Sequence, residues 1–111
     1  MNTRDHQALA DILAVLDRGL DYPLPDFQTL QQTTYLQDAV TRCLEILGEA
    51  SKRLSSDLRL QNPAVPWRAM AGMRDVLIHA YDQVDLEEVW VAYQRFSEIK
   101  SLVADILAQE D

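Results

Sequence analysis

Val40-Thr41-Arg42-Cys43-Leu44-Glu45-Ile46-Leu47-Gly48-Glu49-Ala50-Ser51-Lys52-Arg53-Leu54 is the stretch that decides how the rest of the chain is read. Val40, Leu44, Leu47, Ser51 and Leu54 recur at alternating intervals of four and three, with Cys43 and Ala50 beside them. That is the seam of a helix, not the period-two alternation of a strand. The helical reading extends over about residues 27–56. A helix of that length outspans the core of a 111-residue chain, so part of it is expected to pack on another chain. Gly48 lies inside it at a cost of about 1 kcal/mol against alanine, and a glycine there lets a neighbouring helix approach closely.

The flanking segments are helical too. Leu9, Ile12, Leu13, Leu16 and Leu20 form one apolar stripe, predicting a first helix over about 4–19 that stops near Gly19. Pro23 and Pro25 make 21–26 a loop. Residues 57–65 read as a connection, and the next helix starts with Pro66 in its first turn and carries Trp67, Met70, Met73, Leu77 and Ile78. Asp85 is the N-cap of the last helix, with Glu88 three residues on and Val84 and Val89 able to pack across the cap. Val89, Tyr93, Phe96, Ile99, Val103 and Ile106 continue it to the C-terminus. The expectation is one all-α domain over residues 1–111, an antiparallel bundle of four main helices with room for a fifth short one in 57–66.

Composition removes several classes. An apolar fraction of 48% with 25% charged residues is that of a folded domain rather than a disordered chain. One cysteine, Cys43, can form no internal disulfide and no zinc site alone, and reads as a small buried hydrophobe. Asp5, Asp11 and Asp17 interrupt the N-terminal apolar stretch, which is therefore no signal peptide, and no run of 18 apolar residues exists to span a membrane. A cytoplasmic protein is expected. The net charge of −8 argues against nucleic-acid binding, but its distribution tempers that. Residues 42–74 hold six basic side chains against three acidic ones, so a local basic face on an acidic body and a set of solvated helix charges are both open.

Arg74-Asp75-Val76-Leu77-Ile78-His79-Ala80-Tyr81 gathers a permanent cation, a carboxylate, an imidazole and a phenol within eight residues. Asp75 and His79 are i, i+4 neighbours, so Asp75 is expected to orient the imidazole. Arg74 suits bidentate phosphate binding, and His79 can exchange protons near neutral pH. Such a set fits attack of an RNA 2′-hydroxyl on its adjacent phosphodiester, with no metal or cofactor. The same residues also fit a simple local contact beside Leu77 and Ile78. Arg74 and His79 stand about 140° apart around an ideal helix. They meet at one ligand only if the helix unwinds near His79 or a second copy contributes.

Arg74-x4-His79-x-Tyr81 resembles the signature of the HepT-like toxins, a branch of the HEPN superfamily. Leu47-Gly48-Glu49-Ala50 followed by Lys52-Arg53-Leu54, Pro66-Trp67 before the motif and Val89-Trp90 after it resemble that family's other landmarks, in order, over about residues 36–95. The resemblance implies an all-helical homodimer whose protomers pool their motifs in one cleft. It implies a metal-independent ribonuclease with Arg74 and His79 catalytic and Asp75 supporting, at a position where the family often has asparagine. It also implies a partner, an MntA-like minimal nucleotidyltransferase antitoxin that transfers AMP from ATP to Tyr81. The expected function is the toxin of a type VII pair acting on tRNA or mRNA. The alternative is a non-catalytic HEPN-type module that docks a nucleotidyltransferase.

Overall fold

α3 (Thr34–Arg53) runs through the middle of the molecule, packed against α1 (Thr3–Leu20) on one side and α5 (Trp67–His79) on the other. In this computed structural model, which describes residues 1–109, α7 (Phe96–Ala108) lies on α1, while α2 (Phe27–Gln32) and α6 (Leu86–Gln94) close the remaining face. α4 (Ser56–Gln61) is the fifth short helix for which the connection left room. The described residues form an all-helical domain with principal extents of 44 × 27 × 19 Å. None of its helices is long and apolar enough to cross a membrane.

The seam residues are where their periodicity puts them. Val40, Leu44 and Leu47 are buried in one core with Leu9, Ile12 and Leu16 of α1 and Phe96 and Val103 of α7. Cys43 is buried and unoxidised, as a small hydrophobe. Asp5 is also buried, because it is fully used. Its carboxylate accepts from Ser55 N at 2.8 Å and Ser55 Oγ at 2.7 Å, tying the start of α1 to the N-cap of α4.

Two long helices are shorter than their patterns predict. The expected helix over 27–56 breaks at Thr33, whose extended backbone (φ −126°, ψ 96°) separates α2 from α3. Two adjacent β-branched residues, Thr33 and Thr34, sit at the break, and the Gln37 amide caps the freed carbonyls of Leu30 and Gln31 at 2.9 and 3.1 Å. The last helix is likewise divided at Arg95. Asp85 does cap α6, accepting from Glu87 N at 2.9 Å. A ladder of rings then joins α2, α6 and α7, from Phe27 through Trp90 and Tyr93 to Phe96, with centroids 5.0–6.3 Å apart. α1 ends at Leu20, next to Gly19 as expected, and Gly19 also serves packing, since a Cβ there would stand 2.6 Å from the Phe96 ring. Pro66 is the N-cap of α5, one residue ahead of the first turn.

Candidate active site

The site begins at Gly48, not at the motif. A Cβ on Gly48 would lie 2.2 Å from Arg74 Cβ and 2.6 Å from the Met70 carbonyl oxygen. The bare glycine therefore lets α5 settle directly on α3. The small residues of this seam serve contacts within the chain, since Ala50 is also fully buried. The close approach brings Glu49 and Lys52 of α3 alongside Arg74 and Asp75 of α5.

Arg74 is held from both sides. Its Nε pairs with Glu49 Oε2 at 3.0 Å and its Nη1 with Asp75 Oδ1 at 3.2 Å, and the side chain is only 22% exposed. Asp75 Oδ1 also takes a short contact from Lys52 Nζ. Two cations and two carboxylates thus interlock across the α3–α5 seam. The Lys52 ammonium, then the Arg74 guanidinium, hold the Asp75 carboxyl below the usual carboxylate range. Nη2 is the Arg74 nitrogen left without an ion pair among the described residues, so a phosphate oxygen can still accept from it. Arg74, Glu49, Ile46 and Ile78 line a groove of about 200 Å³ on this side of the seam.

His79 is the last residue of α5 and is exposed. The helix stops after it, where Ala80 turns to φ −139°, ψ 47°, and a single 3-10 turn spans Tyr81–Gln83. Tyr81 is 78% exposed, with Val76 and Ile78 half-exposed nearby. Tyr81 is accordingly no core residue closing the helix.

Two points of the sequence reading change here. Asp75 does not orient His79, because its carboxylate is committed to Lys52 and Arg74. The helix does not unwind early enough to bring Arg74 and His79 together, since both lie within its regular turns. One chain therefore presents Arg74 towards α3 and His79 to solvent, as two separate elements. Glu49 and Lys52 were not singled out as site residues. Their signal was their position next to Gly48, one and four residues further along the same helix.

A family model described as "Ribonuclease HepT-like" matches residues 9–106, a span that contains every site residue named above. The chain belongs to the HepT-like ribonuclease family. Among its relatives, a "Putative RNase" of Methanocaldococcus jannaschii is 40% identical over 103 residues, covering 90% of this chain and 89% of the relative. A second "Putative RNase" of the same organism is 36% identical over 118 residues, covering 100% of this chain and 98% of the relative. A "Probable ribonuclease HepT" of Thermococcus cleftensis is 56% identical over 54 residues, 49% of each chain. No solved structure matches significantly. The interlocked seam and the exposed His79 and Tyr81 are thus found in a member of this family.

Proposed function

We propose that the chain is the toxin of a toxin–antitoxin pair, a metal-independent endoribonuclease acting on cytoplasmic tRNA or mRNA. The observation that carries this reading is the clamped Arg74, with one guanidinium nitrogen free of ion pairs among the described residues, on the same helix as the exposed His79. Arg74 offsets charge on the phosphorane-like transition state, and its two carboxylate clamps fix its orientation beforehand. The 2′-oxygen attacks phosphorus while an imidazole takes its proton. The bond from phosphorus to the 5′-oxygen breaks, and that oxygen takes a proton from an imidazolium, leaving a 2′,3′-cyclic phosphate and a 5′-hydroxyl. Two histidine states are needed at once, and one chain holds a single His79. The active unit is accordingly a homodimer whose protomers pool Arg74 and His79 in one cleft.

Tyr81 is the switch. An MntA-like nucleotidyltransferase antitoxin transfers AMP to it, the phenol oxygen bonding to the α-phosphate of ATP as pyrophosphate leaves. The 78% exposure of Tyr81 supports this, because an enzyme can reach it. The adduct adds bulk and negative charge two residues from His79, and so repels RNA. The net charge of −8 and the two carboxylates on Arg74 favour a second reading, a non-catalytic module that docks the nucleotidyltransferase. Purified protein, shown by mass to be AMP-free at Tyr81, should cleave total tRNA in EDTA, and His79→Ala should not. Absence of cleavage by the wild type would favour the docking module.

A further inference from the structure

Arg68, Gly72, Asp75 and His79 recur on α5 at intervals of four, three and four, so they share one stripe of the helix. The stripe faces outwards. Arg68, Gly72 and His79 are exposed, and a Cβ added at Gly72 would meet nothing within 4 Å. Gly48 and Gly19 answer to tight packing, but Gly72 answers to none, and it leaves bare backbone open to a ligand. At the far end, Arg68 and Arg59 line one groove of about 720 Å³ together with Leu60, Pro63, Trp67 and Ala71. Among the described residues neither arginine makes an ion pair, whereas Arg42, Lys52, Arg53 and Arg74 all do. The Nε atoms of Arg53, Arg59 and Arg74 are all buried without a hydrogen-bond partner, but Arg53 and Arg74 face carboxylates and Arg59, among the described residues, makes no ion pair. Midway, Asp75 is offset by Lys52 and Arg74.

We propose that this stripe is a single-stranded RNA track, running from His79 across the bare backbone at Gly72 to phosphate-binding Arg68 and Arg59. It deepens the ribonuclease reading and rests on it for its direction. Eleven residues of helix separate Arg68 from His79, about 16 Å at 1.5 Å per residue. That equals roughly five phosphate steps of a stacked strand, and fewer of an extended one. The chain as a whole repels a polyanion, so a groove that gathers Arg59 and Arg68, neither in an ion pair among the described residues, is where a phosphate gains most. An RNA strand is favoured over an acidic peptide because the stripe ends on the imidazole that would do the chemistry.

The test uses AMP-free protein and a single-stranded RNA of about twelve nucleotides with 2′-O-methyl groups, which binds but cannot be cleaved, with anisotropy read between about 50 and 200 mM salt. Arg68→Ala and Arg59→Ala should each weaken binding about 3- to 10-fold at low salt and reduce the salt slope by about 0.7. Gly72→Glu, which puts bulk and a carboxylate on the track, should weaken it further. Arg95→Ala, on a residue tied to Glu98 away from the stripe, should bind as the wild type does. Wild-type affinity in the Arg68, Arg59 and Gly72 variants would overturn the track, as would absence of binding by the wild type. Cleavage of an unmodified dinucleotide, too short to reach Arg68, tests the ribonuclease reading separately. Cleavage with unaltered variant binding sinks the track alone, and track-dependent binding with no cleavage sinks the ribonuclease reading alone.

Discussion

Gly48→Ala is the substitution that most sharply tests how the fold builds the site. Ordinary carbon–carbon contact begins near 3.5 Å, and the new methyl would start 2.2 Å from Arg74 Cβ, so α5 must retreat by about 1.3 Å. Neither obstacle can yield locally, because one is a Cβ and the other the backbone oxygen of Met70. Overpacking of this kind costs about 1–3 kcal/mol, against about 1 kcal/mol that alanine returns through helix propensity. The net expectation is a loss of about 1 kcal/mol, or a fall in Tm of roughly 4–8 °C. Gly72→Ala is the internal control for stability alone. It lies in open space in the neighbouring helix and should stabilise by about 0.5–1 kcal/mol. The retreat also pulls Arg74 off Glu49, and a displacement of about 1 Å at a catalytic group can cost about 100-fold in rate. Thermal unfolding and cleavage of one RNA substrate, measured on both variants, give the answer. If Gly48→Ala raised Tm as Gly72→Ala does and kept full activity, the seam would not be what positions Arg74.

Further outcomes follow from single contacts. Glu49→Gln keeps the bulk beside Arg74 but removes the charge of the ion pair, so it should lower cleavage less than Glu49→Ala, with both acting on kcat more than KM. Tyr81→Phe should remain active as a nuclease yet escape neutralisation by a co-expressed nucleotidyltransferase antitoxin; full neutralisation would show that modification of this tyrosine is not required. Asp75 should titrate below the usual carboxylate range by NMR and move back towards it in Lys52→Met. A depressed carboxyl contributes stability above its unfolded value of about 3.9, lost as pH falls through its lower folded value. The α3–α5 lock should therefore be intact at neutral pH and open only in acid below about pH 4, together with the Asp11–Arg53 pair of α1 and α3.

Periodicity made the helices legible because burial imposes it: Val40, Leu44 and Leu47 had to face the core, and they do. It could not show where a helix stops when the apolar stripe continues. At Thr33 the break comes from backbone preference and a long-range cap by Gln37, and at Arg95 the stripe from Tyr93 to Phe96 crosses the break undisturbed. The motif residues were legible as a set, yet their partners were not. Spacing alone pairs Asp75 with His79, whereas the structure gives Asp75 to Lys52, twenty-three positions away. A local rule lost to a tertiary contact because Gly48 lets a second helix come close enough to compete. Four of the six basic residues in 42–74 are spent in the same way, on Glu45, Glu49, Asp75 and Asp11.

That neutralisation bears on how a chain of this charge could handle RNA at all. Arg74 meets a phosphate with its charge already offset by two carboxylates, so it adds little to affinity in the ground state. Its free Nη2 gains most when charge accumulates on the phosphoryl oxygens, which makes it a group for the transition state rather than for capture. Capture must then come from cations that are not spent, and Arg59 and Arg68 are such cations on the stripe that leads to His79. A division of labour of this kind would let an acidic protein bind RNA weakly and in one register. It would also make the proposed charged adduct at Tyr81 an effective switch, since a marginal electrostatic attraction is easily reversed.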